Sequence, residues 1–416
     1  MLLRCYPKVT DWIFQFFNQN PSADFRFLPV YSYGFFVAVA FFAAATLAVA
    51  EMRRREKLNL LTGKETEITI GGGLNIYELL FYIFFGFTVF YKLIGIFTFG
   101  EVLRNHQLAF SDYVLSADNV NILAKILSFY TYGSWAGGII GALALDGYYY
   151  YSKNQQKNQP VETKKIMIYP SESIGDLVVI AMVLGVLGSN LFNFLENPSD
   201  YADFWANPVG SLFSGLSIYG GLICAGIGFG IYAYVKKFNF AHFFDSVAPG
   251  FILANGIGRI GCHVAGDGDW GIANLHAKPS WFPQFIWSSH YEHNIIDADP
   301  ANIIAGCTEE HCHFLANAAY PTPIYEFLMC TCIFLILWGL RKRLTYKPGM
   351  VFSIFMILIG IQRYSIEQWR DRSGRELYHI FGFALRQSEI ISITLFSLGI
   401  ILTAFLYNKY RKQVTS

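Results

Sequence analysis

The sequence predicts an all-α polytopic membrane protein, and three observations carry that expectation. Over 416 residues it is 54% hydrophobic and only 15% charged, where soluble proteins hold about 25% charged residues. Apolar runs recur at lengths that cross a bilayer core, which takes about 20 residues. Basic residues gather in alternate connections between those runs, the asymmetry that orients membrane helices.

The runs lie near 30–50, 77–99, 127–149, 174–195, 216–235, 243–265, 324–340, 348–367 and 388–408, which makes about nine transmembrane helices. Basic clusters follow the first run (Arg53, Arg54, Arg55, Lys57, Lys64), the third (Lys153, Lys157, Lys164, Lys165) and the fifth (Lys236, Lys237). Others follow the seventh (Arg341, Lys342, Arg343, Lys347) and the last (Lys409, Arg411, Lys412), together 18 of the 31 Lys and Arg. Taken as cytoplasmic, they put the N-terminus outside, the C-terminus inside and the segment 266–322 outside. The first five residues, Met1-Leu2-Leu3-Arg4-Cys5, lack the pattern of a cleaved signal peptide, so the first helix is expected to be retained. A net charge of +1 argues against a nucleic-acid partner.

The chain repeats itself. Tyr31-Ser32-Tyr33-Gly34 opens the first helix and Tyr130-Thr131-Tyr132-Gly133 the third. Each helix leads to a basic connection with Glu-Thr (Glu65-Thr66, Glu162-Thr163). A helix beginning with an acid follows (Glu78-Leu79, Asp176-Leu177), and it later carries a polar residue before leucine (Lys92-Leu93, Asn190-Leu191). This reads as a tandem duplication of a two-helix hairpin. Because the unit has an even number of crossings, everything downstream keeps its orientation.

Four stretches could carry chemistry. The first is Gly256-Ile257-Gly258-Arg259-Ile260-Gly261-Cys262-His263-Val264-Ala265-Gly266-Asp267-Gly268-Asp269-Trp270-Gly271. An arginine at membrane depth costs about 2.5–3.5 kcal/mol on insertion scales, so Arg259 calls for an anion, which in a bilayer points to a lipid phosphate. The formal G-x-G-x-x-G match there lacks the strand and βαβ context that a dinucleotide site needs. The second is Gln362-Arg363-Tyr364-Ser365-Ile366-Glu367-Gln368-Trp369-Arg370, where Arg363, Glu367 and Arg370 share a helix face. They form either an internal ion pair or a net-positive edge suited to bidentate phosphate binding.

The third stretch is Pro321-Thr322-Pro323-Ile324-Tyr325-Glu326, with an acid placed to favour a helix N-terminus or to serve a site. In the fourth, Ser217-Ile218-Tyr219-Gly220-Gly221-Leu222, Tyr219 is an interfacial anchor or a hydroxyl facing the active cavity. Cys307 and Cys312, with His311 and His313 nearby, are expected to form a disulfide in an oxidising compartment rather than a metal site.

These motifs resemble the bacterial prolipoprotein diacylglyceryl transferase family over about 130–416. The family's G-R-x-G-N-x-x-N-G-E, followed by W-G, is matched by Gly258 to Asp267 and then Trp270-Gly271. Its H-P-x-Q-x-Y-E looks like Tyr320 to Glu326. Its P-G-x-x-F and G-x-x-R-x-x-x-E look like Pro348-Gly349 with Phe352 and Gly360 with Arg363 and Glu367. Tyr219 stands where the family has histidine, and Cys262 where it has asparagine.

The resemblance implies a seven-helix core at 126–416, preceded by an extra hairpin within 1–125, in the bacterial inner membrane with its active face toward the periplasm. It implies transfer of a diacylglyceryl group from phosphatidylglycerol to the lipobox cysteine of an exported prolipoprotein, with no cofactor or metal. Arg259 and Arg363 would hold the phosphate and Glu367 would orient Arg363. Tyr132, favoured over its counterpart Tyr33 because its copy is contiguous with the rest of the match, would be the family's first-helix tyrosine. Arg370, Tyr325, Glu326 and Asp267 would line the headgroup site, and Tyr219 or His263 are candidates near the thiol. The alternative is a homologue that binds lipid without catalysis or uses another acceptor.

Overall fold

The computed structural model describes residues 5–6, 32–70, most of 79–91, 135–156, 162–196, 217–296, 302–307, 311–370, 378–380 and 383–415. In chain order these hold α1 (Ser32–Lys57), β1 (Lys64–Ile70), α2 (Trp135–Gln156), β2 (Glu162–Ile168), α3 (Ile174–Glu196), α4 (Ile218–Val235) and α5 (Phe240–Ala265). There follow α6 (Gln284–Trp287), α7 (Thr322–Arg343), α8 (Met350–Glu367), β3 (Tyr378–Ile380), β4 (Phe383–Leu385) and α9 (Gln387–Thr415). Among the described residues, five helical stretches are long and apolar enough to cross a membrane: α1, Pro170–Leu195, α7, α8 and Gln387–Lys412 of α9. Gly220–Val235 is a shorter apolar helix. The chain is thus a mostly helical, multi-pass membrane protein.

Two short ribbons accompany the helices. β1 and β2 pair antiparallel from Lys64↔Ile168 to Ile70↔Glu162, and β3 pairs with β4. Both strands of the first ribbon were expected to be basic loops. Their β-branched residues, Thr66, Ile68, Thr69 and Ile70 against Thr163, Ile166 and Ile168, explain the strands.

The described residues pack as two units. One comprises Met1–Thr62, Tyr169–Ile174 and Phe238–Ser416; the other comprises Gly63–Ile168 and Gly175–Lys237. In the second unit, small residues bring helices together. A Cβ on Gly86 would meet the Gly141 carbonyl oxygen at 2.5 Å, and one on Gly188 the Gly220 oxygen at 2.5 Å. Tyr82 stacks on Tyr149 at 5.0 Å.

The first unit is organised by α5, which packs on α1, α7 and α8, while α8 also packs on α9. Its core is Ala248, Ile252, Cys330, Ile333, Leu337, Val351 and Phe355. α5 carries Asp245, Asn255 and Arg259, polarity that a helix surrounded by partners tolerates. Gly250 is where α1 comes closest: an added Cβ would lie 2.8 Å from the Ala44 carbonyl oxygen. Gly250→Leu is therefore expected to destabilise the protein by about 1–3 kcal/mol through overpacking, read as a lower melting temperature in detergent.

The start of α5 is tied by buried charge. Arg55 is fully buried, pairs with Glu51 at 3.0 Å and Asp245 at 3.4 Å, and meets His242 Nδ1 at 2.6 Å. Glu51 also accepts from Arg341 at 2.7 Å and Arg54 at 2.5 Å. Asp245 accepts from the backbone N–H groups of Gly349 and Phe352, both at 2.9 Å, and so caps the start of α8. Gly349 turns with φ 89°, a conformation that glycine adopts without strain. Arg54, Arg55 and Arg341, expected as loop charges, are instead helix residues with internal partners.

Candidate functional site

The far end of α5 closes with Gly266 in the left-handed conformation, φ 68°. Gly268 also has positive φ, 88°, so the chain doubles back. Asp267 accepts from the Asp269 N–H at 3.3 Å. The returning strand is fixed by Gly271 N–H to Tyr320 O at 2.8 Å, Ile272 N–H to Trp369 O at 2.9 Å, and the Thr322 hydroxyl to Asp269 O at 2.6 Å. Three segments distant in sequence thereby converge: the α5 end, the α7 start and the α8 end.

Their side chains form an alternating chain of charge. Arg370 pairs with Asp269, which pairs with Arg259; Arg259 pairs with Glu326. Glu326 accepts from Arg363 at 2.8 Å, Arg363 meets Glu367 at 3.2 Å, and Glu367 accepts from Arg386 at 3.0 Å. Six of the seven side chains are at most 14% exposed, and Asp269 is the most open at 22%. Burial makes each pair electrostatically strong, but desolvation offsets much of that gain. What the arrangement provides is a set of guanidiniums held in place before any ligand arrives.

The structure therefore brings together five expected residues: Arg259, Glu326, Arg363, Glu367 and Arg370. Asp267 lies beside them, in hydrogen-bond contact with the Cys262 thiol. One detail differs from the expectation: α8 ends at Glu367, so Arg370 lies beyond the helix and bridges to Gly271. Of the two alternatives for Glu326, its position after Thr322–Tyr325 in α7 and its pairing with two arginines go with the charge cluster and not with the helix terminus.

Tyr325 donates to the Ile286 carbonyl at 2.7 Å, which ties α6 to α7. His263 is buried, with Nδ1 3.2 Å from the Tyr291 hydroxyl. Tyr219 lies in the first turn of α4, and its side chain lies outside the described residues, as does Tyr132. Cys307 and Cys312 form a disulfide with Cα atoms 5.8 Å apart.

Sequence reasoning missed Asp269 and Arg386 as site members. Asp269 could have been found from the Gly266-Asp267-Gly268-Asp269 spacing, since two glycines around an acid make a reversal. Nothing local marked Arg386. Cys262, Asp267 and Asp269 bring donor atoms within 4.8 Å of one another. The two Asp269 oxygens face Arg259 and Arg370, so that carboxylate is a counter-ion to arginine.

Burial pushes the Asp267 carboxyl above its ordinary value, against the pull of the Cys262 thiol, Arg259 and Arg370. A raised value means the fold favours the protonated acid. Its stabilising share is present below the unfolded value of about 3.9 and is lost as pH rises through the folded one. Asp267→Asn is expected to gain melting temperature relative to the parent as pH increases through that window. Parallel pH profiles would refute the assignment.

A membrane helix bundle with four arginines interleaved with three carboxylates among the described residues defines a class: a multi-pass membrane protein with a charge cluster where three segments converge. The chain belongs to the prolipoprotein diacylglyceryl transferase family, which its residues 122–405 match. It is 28% identical over 244 residues to the phosphatidylglycerol–prolipoprotein diacylglyceryl transferase of Corynebacterium glutamicum, covering 58% of this chain and 71% of that one. To the Clostridium novyi enzyme of that name it is 30% identical over 241 residues, covering 57% and 81%. To that of Streptococcus uberis it is 30% identical over 232 residues, covering 56% and 78%.

Proposed function

We propose that this protein transfers a diacylglyceryl group from phosphatidylglycerol to the lipobox cysteine of exported prolipoproteins, in the bacterial inner membrane with the 266–322 segment on the periplasmic side. The single observation that carries this is the arginine chain Arg259–Arg363, built on the segments where the family motifs fall.

In the reaction, the acceptor thiolate sulfur bonds to the glyceryl carbon as that carbon's bond to the phosphate oxygen breaks. The electron pair leaves with the oxygen, and a phosphodiester monoanion becomes a glycerol phosphate dianion. The thiol proton passes to a base. An ordinary thiol, with pKa about 8.5, is only a few per cent ionised at neutral pH, and a nearby cationic cluster favours the thiolate. Arg259 and Arg363 stabilise the charge that grows on the departing phosphate, a role that donors fixed in advance perform without reorganisation. Glu326 and Glu367 hold those guanidiniums in place. Arg370, Tyr325 and Asp267 complete the headgroup region.

The substitutions at Tyr219 and Cys262 support a second reading, in which the same site binds the lipid but serves another acceptor or none. The test is transfer from phosphatidylglycerol in reconstituted vesicles to a lipobox peptide, with glycerol phosphate release measured alongside. Thioether formation with stoichiometric release supports the proposal. Phosphatidylglycerol binding without either product selects the second reading.

A further inference from the structure

We infer that the first copy of the duplicated hairpin, and not the second, supplies the helix that flanks the arginine site, with Tyr33 as the tyrosine that faces it. The inserted segment is then 63–168. Sequence matching favours the other copy: the family match begins at residue 122 and so takes in Tyr132 while leaving Tyr33 out. Packing within the first unit points the other way.

α1 lies along α5 at two heights. Near the arginine end, a Cβ on Gly261 would sit 3.0 Å from Phe36 Cβ and 3.4 Å from both the Cα and the carbonyl oxygen of Tyr33. Gly261 is two residues past Arg259. The ionisable groups acting on the Tyr33 phenol are Cys262, Asp267 and Arg259. Lower down, Gly250 meets Ala44 and Leu47.

Both ends of α1 are also tied down. Its C-terminal turns are bound through Arg55 to Asp245 and through Glu51 to Arg341. At its N-terminal end, Ser32 donates to the Tyr6 carbonyl, and Tyr6 N–H donates to Val264 O at 2.7 Å. A merely appended hairpin would have no need of two buried ion pairs to the core.

The path of the chain agrees. After α1, β1 leaves and β2 returns, paired from Lys64↔Ile168 onward. The chain then docks back on α1, where Ser171 gives both its N–H and its hydroxyl to Glu56 at 2.8 Å. Residues 63–168 are thus a closed excursion that leaves the end of α1 and returns to it. The excursion takes in two expected crossings, 77–99 and 127–149, so its presence leaves the downstream orientation unchanged.

The experiment uses the full-length protein in membranes. One double variant is Leu47→Cys with Gly250→Cys, whose Cβ atoms would be 3.4 Å apart, close to the roughly 3.5–4.5 Å a disulfide spans. The matched pair is Asp146→Cys with Gly250→Cys, since Asp146 occupies the corresponding place in the second copy. Single variants control for native thiols, and mass spectrometry identifies the linked peptides. Oxidation is expected to join 47 to 250 and not 146 to 250. The reverse pattern or both links overturns the inference, and so does neither link in a Leu47→Cys, Gly250→Cys protein that keeps the parental melting temperature.

A second arm rests on the proposed transferase activity. At equal folded protein, Tyr33→Phe is expected to reduce the transfer rate at least tenfold more than Tyr132→Phe does, and an equal or opposite ranking overturns the Tyr33 assignment. If the parent protein transfers nothing, the proposed activity fails while the cross-linking arm still decides which copy packs on α5.

Discussion

Replacing Arg259 with alanine is expected to lower the transfer rate by about 100- to 1,000-fold, the range seen when one fixed donor to a developing oxyanion is removed. Arg259 pairs with both Asp269 and Glu326, so its loss also takes the central link out of the charge chain. The stability cost should stay below the roughly 3–5 kcal/mol of a broken buried pair. Asp269 keeps Arg370, and Glu326 keeps Arg363. Arg259→Lys restores the charge but not the planar fork, and should recover only part of the rate. Rates for both variants, measured with their melting temperatures, separate the two effects. An Arg259→Ala protein that keeps near-parental transfer would remove Arg259 from the mechanism.

Asp245→Ala is expected to have the largest effect on stability, about 3–5 kcal/mol. The carboxylate is fully buried, faces Arg55, and accepts two backbone N–H groups at the start of α8. Alanine leaves both donors without that acceptor in a buried setting, each an unfavourable loss, and leaves Arg55 dependent on Glu51 alone for ion pairing. Asp245→Asn retains an acceptor and should fall between parent and alanine. Because Asp245 lies at the opposite end of α5 from Arg259, transfer per folded molecule should change little while the melting temperature drops. A melting temperature within a degree of the parent's would contradict this account.

Much of the fold could be read from hydropathy because burial in lipid is set by composition along the chain. The runs near 30–50, 324–340, 348–367 and 388–408 correspond closely to α1, α7, α8 and α9. The ribbon of β1 and β2 was not anticipated, since lysines and glutamates in a connection suggest a solvated loop until the alternating threonines and isoleucines are weighed. At the site, the Arg363–Glu367 pair was legible because four residues make one turn. The partners supplied by Glu326, Asp269 and Arg386 come from other segments and leave no local periodicity. For that reason the sequence left an internal ion pair and a net-positive helix edge as alternatives, where the structure holds the pair within interleaved countercharges. The choice between Tyr33 and Tyr132 escaped the sequence for a related reason: duplicated segments look alike, and only packing distinguishes them.

From Arg370 to Arg386, four arginines alternate with three carboxylates among the described residues. Each guanidinium in it already has a carboxylate as counter-ion. Under the proposed transfer, an entering lipid phosphate would fill no vacancy; it would displace a carboxylate from a guanidinium, and Asp269, the most exposed of the three, is the one best placed to yield. On departure of glycerol phosphate the displaced carboxylate would return and help to expel it. The acids beside the arginines would then set how readily product leaves, so weakening them should tighten product binding and slow turnover even as substrate affinity rises.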